Sequence, residues 1–111
     1  MGKYNGSFKD TRRLRDLRIE LFVRTNGTCH WCSQECTGPF YIGDVPLKST
    51  DFTLDHVVPR YRGGDESPEN VTGSCWQCNQ DRSALEEYLV KNRPLPKRLA
   101  ERVQVLSPVG L

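Results

Sequence analysis

The apolar positions near the N-terminus repeat with the period of a helix. The repeat runs from about Asp10, where Asp10 or Thr11 can cap the helix, to Arg24, and Asn26-Gly27 then ends it in a turn. Four residues form the apolar face, Leu14, Leu17, Leu21 and Phe22, with Ile19 as the alternative on a wider face. The arginines are expected to lie mostly away from that face: Arg12, Arg13, Arg15 and Arg18. The pattern therefore predicts an amphipathic helix with a basic polar side.

Two later segments have the character of strands. Phe52 to Val58 is rich in β-branched and aromatic residues and stops at Pro59, which is typical of a strand. A polar loop with Gly63-Gly64 follows, and Asn70 to Gly73 resembles a second short strand. The order predicts two short strands joined by a glycine-containing loop.

The C-terminal part is predicted to be helical, with a break. Trp76 to about Val90 returns to helical spacing, and Pro94 and Pro96 end that helix. A short amphipathic segment can follow from Lys97 to Val105. The turn-rich stretch from Cys36 to Asp51 could form a short hairpin around its apolar residues: Phe40, Tyr41, Ile42, Val45 and Leu47.

Length and charge narrow the possibilities. A chain of 111 residues has room for one domain, and a hydrophobic content of 36% predicts a core that needs a metal or a disulfide for stability. Residues 1–25 carry seven basic and three acidic side chains, residues 91–111 carry five and one, and residues 26–90 carry four and ten. Basic flanks suit DNA or RNA, and an acidic centre suits bound cations. For the N-terminal helix, ordinary solvated surface charge remains an alternative.

The cellular compartment bears on the state of the cysteines. The sequence has no apolar stretch of the roughly 20 residues that cross a bilayer, and Met1 to Asp10 lacks the apolar core of a secretory signal. We therefore expect a cytoplasmic protein without membrane contact, in which thiols stay reduced. Five cysteines then indicate metal ligands or free thiols.

Four of the cysteines form two matched pairs. Cys29 and Cys32 have two residues between them, as do Cys75 and Cys78, so both sulfurs of a pair can face one ion. Four thiolates satisfy tetrahedral Zn²⁺, and such a site would join the N-terminal helix region to the C-terminal helix and add folding free energy. The alternative to a zinc site is that the cysteines form two buried or disulfide-bonded pairs. Cys36 and His30 are spare ligand candidates, which we expect to be non-catalytic.

The segment between the strands and the second cysteine pair resembles the HNH endonuclease family. The resemblance covers Asp55 to Arg82 and extends to roughly Arg13, leaving out the stretch from Cys36 to Asp51 and the residues after Val90. Family members more often have Lys at the position of Arg82. The motif residues are Asp55-His56, Pro59-Arg60, Gly63-Gly64, Asn70, Cys75, Cys78 and Asn79, which makes this a His-Asn-Asn version.

The resemblance implies an α+β fold of the ββα-metal type, a hairpin packed on a helix with one divalent ion between them. Asp55 and Asn79 would be the protein ligands of that ion, and their oxygens suit Mg²⁺ or Mn²⁺. His56 would be the general base that activates water. The expected reaction is hydrolysis of DNA phosphodiester bonds, leaving 5′-phosphate and 3′-hydroxyl ends.

Other polar residues have expected supporting roles. The side-chain amide of Asn70 can bridge backbone groups of the loop and hold the hairpin that positions His56, which differs little from a plain Asx turn. Arg82 is three residues after Asn79, so it shares a helical face and would contact the phosphate; a solvated helix arginine is the alternative. Arg60 and Arg62 are further phosphate-contact candidates, as are the helix residues Arg12, Arg13 and Arg15.

The adjacency of Asp55 and His56 on a strand conflicts with both side chains contacting one phosphate. Neighbouring residues of a regular strand face opposite sides, yet Asp55 and His56 must both reach one phosphate. Either the strand twists sharply before Pro59, or the base approaches from across the hairpin.

The sequence thus predicts a basic N-terminal helix over 1–28, an HNH nuclease domain with zinc knuckles over 29–90 and a basic tail over 91–111. The predicted function is a DNA endonuclease, with nicking favoured over rare-site cutting, in the cytoplasm of a bacterial or phage-infected cell. A non-catalytic, zinc-stabilised nucleic-acid-binding module is one alternative. Another is an accessory protein of a larger DNA-processing complex.

Overall fold

The computed structural model describes residues 12–41 and 47–106. The Asp10 and Thr11 caps and the centre of the predicted 36–51 hairpin lie outside these residues. The elements follow in this order: α1 (Arg12–Thr25), β1 (Phe52–His56), a 3₁₀ turn (Arg60–Arg62), β2 (Val71–Cys75), α2 (Trp76–Lys91), a 3₁₀ helix (Lys97–Arg102) and α3 (Val103–Leu106).

Strands β1 and β2 form an antiparallel pair in which Phe52 lies opposite Cys75 and His56 opposite Val71. β2 continues directly into α2, so the central unit is a hairpin followed by a helix. The strand predicted to reach Val58 ends at His56, because the backbone N–H and C=O of Val58 bond to the side chain of Asn70 instead of to a partner strand. The predicted second strand is likewise shifted and runs to Cys75.

The face of β1 that carries Phe52, Leu54 and His56 is turned toward α1. Phe52 is fully buried with Leu21 and Val71, and the rings of Phe22 and Phe52 meet edge to face at 5.2 Å. The opposite face of β1 carries Thr53 and Asp55, and Asn79 and Arg82 of α2 bond to that part of the strand. The hairpin is therefore enclosed between α1 and α2, and its two faces have different neighbours.

Arg18 is buried, so the prediction that the α1 arginines lie away from the apolar face is wrong for this residue. Its guanidinium donates to the carbonyl oxygens of Pro39 and Tyr41 at 2.8 and 2.9 Å and lies 4.0 Å from the Tyr41 ring centroid. The loop at residues 39–41 covers this side of α1, and helical periodicity does not reveal a loop that returns from more than 20 residues away. Phe40, in the same loop, is exposed.

A second core lies on the other side of the hairpin. It contains the paired cysteines, Trp31, Leu85 and two residues of the C-terminal segment, Leu99 and Leu106, each only 1% exposed. The segment from Lys97 to Leu106 therefore belongs to the packed domain, as its predicted amphipathic pattern allows. Within the described parts of the chain, none of the helices has both the length and the apolar character that spanning a membrane requires.

Each glycine of the Gly63-Gly64 pair, in the loop between the strands, has its own steric reason. A Cβ at position 64 would overlap the carbonyl oxygen of Val58. Gly63 has a φ of +93°, which disfavours residues with a side chain. Both glycines are therefore needed for the backbone to turn tightly against the end of β1.

Candidate active site and metal centre

The four paired cysteines come together at the point where the loop after α1 meets the junction of β2 and α2. Their sulfur atoms all lie within 4.8 Å of one another, and Cys32 Sγ is 3.9 Å from Cys75 Sγ. Tetrahedral Zn²⁺ with four Zn–S bonds separates its sulfurs by about 3.8 Å. All five cysteines are free, so the disulfide alternative does not hold. The donor set and its spacing fit zinc.

The backbone supports this arrangement of sulfurs. The N–H groups of Trp31 and Cys78 point at Cys29 Sγ and Cys75 Sγ, both at 3.4 Å, and Cys75 is also the N-cap residue of α2. Backbone donors at a thiolate stabilise its negative charge. Among the described residues, no other group of three or more His, Cys, Asp or Glu side chains is close enough to hold a metal ion.

The two spare ligand candidates lie outside the cluster. His30 is exposed and meets the Trp31 ring edge to face at 4.5 Å. Cys36 is half-buried near the cluster, and burial together with the charge of Cys29, Cys75 and Cys32 raises the pKa of Cys36 to about 12.

Asp55 points toward α2 and is 6% exposed. Oδ1 accepts from Nη1 of Arg82 at 2.6 Å, and Oδ2 accepts from Nε1 of Trp31 at 2.9 Å. Burial raises the pKa of Asp55, and the Arg82 guanidinium acts in the opposite direction. The carboxylate of the Asp-His pair is thus held inside the protein by a charged donor, Arg82, together with neutral donors.

Asn79 lies on the same side of the hairpin as Asp55. Its amide nitrogen donates to Thr53 Oγ1 at 2.9 Å and to the Leu54 carbonyl oxygen at 3.1 Å. The amide oxygen is left as the atom that can serve a ligand. Asp55 and Asn79 therefore both offer oxygen from one side of β1, as hard cations require.

Arg82 is directed inward and is 9% exposed. Besides Asp55, it donates to the carbonyl oxygens of Val57 at 3.0 Å and Leu106 at 2.8 Å, and its guanidinium lies 4.3 Å from the Trp31 ring centroid. The alternative of a solvated helix arginine is wrong. The position next to the Asp55 carboxylate, where a cation is expected, is taken by this guanidinium.

His56 lies on the opposite side of β1 from Asp55, as strand alternation requires. Its Nε2 is 3.1 Å from Oε2 of Glu66. Glu66 also accepts from Arg13 at 2.7 Å and from Arg60 at 2.6 Å. Hydrogen bonds from Arg13 and His56 lower the pKa of Glu66 to about 2, and Arg60 adds to the effect.

Glu66 was not singled out from the sequence. It is one of several acidic residues in a polar loop, and its position ten residues after His56 is the one sequence feature that relates the two side chains. Two arginines proposed to contact DNA, Arg13 and Arg60, are its partners. Arg62 pairs with Glu86 at 3.2 Å, and Arg12 is exposed.

Asn70 makes the backbone contacts expected of it. Its oxygen accepts from the N–H of Val58 at 2.7 Å, and its nitrogen donates to the carbonyl oxygens of Val58 and Asp65 at 3.1 and 2.8 Å. This amide joins both ends of the loop that carries Glu66. It therefore fixes the strand end at which Asp55 and His56 diverge.

The hairpin, the helix that follows it and a four-cysteine cluster that could hold zinc define a small ββα domain of the α+β class. The chain belongs to the HNH endonuclease family, whose family model matches residues 29–85. This range contains every cysteine and motif residue of the site, and it includes the stretch from Cys36 to Asp51. A search of curated proteins found no match. Membership implies nuclease activity, use of a divalent metal and DNA as substrate for the family in general.

Proposed function

We propose that this protein is a metal-dependent endonuclease that hydrolyses DNA phosphodiester bonds. The observation that supports the proposal is the placement of the family motif. Asp55-His56 ends β1, and Asn79 reaches the same strand from α2 within the matched range. Asp55 and Asn79 would hold one Mg²⁺ or Mn²⁺. When bound, such an ion stabilises the negative charge that develops on the phosphate during hydrolysis.

Arg82 has to leave Asp55 for the ion to bind there. A guanidinium 2.6 Å from the carboxylate repels a second cation at the same oxygen. A DNA phosphate is an alternative anion for a guanidinium, with matching geometry. Transfer of Arg82 from Asp55 to the phosphate would therefore open the carboxylate and place a positive charge beside the substrate.

His56 would accept the proton of the attacking water. Because the pKa of Glu66 is about 2, this carboxylate is ionised at neutral pH and can only accept hydrogen bonds. Nε2 of His56 is then the protonated nitrogen, and Nδ1 carries the lone pair. We therefore propose Nδ1 as the proton acceptor, with Glu66 holding the imidazole in this tautomer.

The opposite orientations of Asp55 and His56 place a condition on this mechanism. One phosphate can meet both side chains only at the end of β1, where the chain turns at Pro59. Substrate binding would have to reposition at least one of the two side chains. Release of Asp55 from Arg82 is a change that could permit this.

The direct test is a nicking assay on supercoiled, linear and single-stranded DNA with zinc-loaded protein. The proposal expects cleavage with Mg²⁺ or Mn²⁺, none when both ions are left out of the zinc-loaded protein, and none with Asp55→Asn. The matched control is Asp51→Asn, which alters an acidic residue just before β1 outside the site. Binding without cleavage under every metal condition would reject the nuclease.

The closed Asp55–Arg82 pair favours a second candidate, a zinc-stabilised DNA-binding accessory protein without catalysis. In that case the pair would be permanent, and Mg²⁺ would only weaken DNA binding as a competing counterion. The nicking assay, combined with DNA binding measured by fluorescence anisotropy, distinguishes the two candidates.

A further inference from the structure

The C-terminal segment packs against the cysteine cluster, although it follows the residues that match the family. Leu99 and Leu106 share a core with Cys29, Cys75 and Cys78. The 3₁₀ helix Lys97–Arg102 thus lies beside the proposed zinc site. Two of its basic residues, Arg98 and Arg102, were expected to belong to a tail that suits DNA and have partners inside the protein.

Asp81 is the centre of those contacts. Its side chain is fully buried, and its carboxylate accepts from Gln77 at 2.9 Å, from Arg98 at 2.6 Å and from Arg102 at 2.7 Å. A buried carboxylate is costly unless it is paired and fully hydrogen-bonded. Asp81 therefore holds Arg98 and Arg102 against α2.

Arg102 has a second contact that reaches the cluster. Its Nη2 donates to Cys78 Sγ at 3.0 Å, while its Nη1 donates to Asp81 Oδ2. Four thiolates exceed the charge of Zn²⁺ by two negative charges, so a positive donor at one sulfur stabilises the set. Groups that hydrogen-bond to metal ligands fix the ligand orientation and tune the affinity for the metal.

We propose that Arg102 is a positioning residue of the zinc site, held by Asp81 so that its guanidinium donates to the Cys78 sulfur. The C-terminal segment would then close the metal centre and slow the loss of the ion. This inference rests on the zinc site and is independent of whether the protein cuts DNA.

The test uses the full-length zinc-loaded chain and measures zinc affinity by competition with a chromophoric chelator. Arg102→Gln is expected to raise the Kd for zinc by about 10- to 100-fold, the range typical for loss of such a partner. Arg102→Lys, which keeps the charge but not the two-pronged geometry, should give a smaller rise. Arg93→Gln, an exposed arginine past the end of α2, is the control and should leave the Kd unchanged.

A second readout separates positioning from general loss of stability. Site-resolved alkylation of the zinc-loaded protein should show a faster reaction at Cys78 in Arg102→Gln, with Cys29 and Cys32 unchanged. A Kd within twofold of wild type, or equal acceleration at all the cysteines, would overturn the inference. If Arg102→Gln does not fold, Asp81→Asn replaces it as the test, because Asp81 holds Arg102 in place. An unchanged Kd for zinc in Asp81→Asn would also overturn the inference.

Discussion

Nη1 of Arg82 lies 2.6 Å from Oδ1 of Asp55, and both side chains are at most 10% exposed. The carboxylate that we propose as a ligand of the divalent ion is thus neutralised by the guanidinium of Arg82. The pair satisfies two buried charges, and it determines what must move if Asp55 is to bind an ion.

Removal of Arg82 should destabilise the protein strongly. In Arg82→Ala the Asp55 carboxylate stays buried with neutral donors only, and the loss of one partner of a buried pair costs about 3–5 kcal/mol. Urea unfolding in saturating zinc measures the change. Arg24→Ala, which breaks the exposed pair with Glu20, is the control and should cost less than about 1 kcal/mol. Similar small effects in both variants would contradict a structural role for the buried pair.

The two histidines of the chain provide a matched test of the proposed base. His56→Ala should abolish detectable cleavage, since loss of a general base costs about 10²- to 10⁴-fold, while DNA binding stays nearly intact. His30→Ala removes an exposed ring that packs on Trp31, so cleavage should persist. The assay is plasmid nicking with metal present, and binding is followed by fluorescence anisotropy. Full activity of His56→Ala would remove this residue from the mechanism.

Loss of a cysteine from the cluster should affect folding more than the rate of DNA cleavage. Cys75→Ser removes a ligand that also caps α2, so we expect the loss of a cooperative thermal transition and of stoichiometric zinc. Cys36→Ser, outside the cluster, should retain both. The measurements are differential scanning calorimetry and metal analysis by mass spectrometry. A normal cooperative melt of Cys75→Ser without zinc would refute the structural role of the metal.

Glu66 should contribute stability that depends on pH. Its pKa falls from the ordinary 4.5 to about 2 in the folded protein, so its contribution is complete above 4.5 and is lost as the pH falls toward 2. The unfolding free energy of wild type should therefore exceed that of Glu66→Gln at pH 6, and the gap should close between pH 4.5 and 2. Chemical denaturation at several pH values measures this difference in unfolding free energy. The contributions of the other carboxyl groups largely cancel because both proteins contain them. A gap that stays constant down to pH 2 would show that Glu66 is not held by its partners.

Gly73 should not tolerate a side chain. A Cβ at this position of β2 would overlap the ring of the fully buried Phe52, and overpacking of this kind costs about 1–3 kcal/mol. Gly38→Ala, where the nearest contact is an ordinary 3.4 Å to the exposed Phe40 ring, is the control. Thermal unfolding in excess zinc compares the two variants. Equal stability would mean that Phe52 can shift without cost.

The sequence predicted the local elements and the grouping of four cysteines well, because the residues of each element and of each cysteine pair are close together in the chain. Periodicity located α1 and α2 to within a few residues, and the spacing within each cysteine pair indicated one shared ion. The Asp-His pair, Asn79 and the cysteines together were sufficient to indicate the family that the family model confirms. The contacts of Asn70 also followed from its place in the loop.

The tertiary structure alone decided which partner each charged side chain has. Arg18, Arg82 and Arg102 all occur in segments that suggest solvent or DNA, yet each points inward to oxygen or sulfur atoms more than 20 residues away. Arginine has a long, flexible side chain with five donors, so its sequence position leaves its partner open until the elements pack. The alternation of β1 likewise predicted that Asp55 and His56 diverge, but the packing of α1 and α2 on opposite faces determined that Asp55 meets Arg82 and His56 meets Glu66.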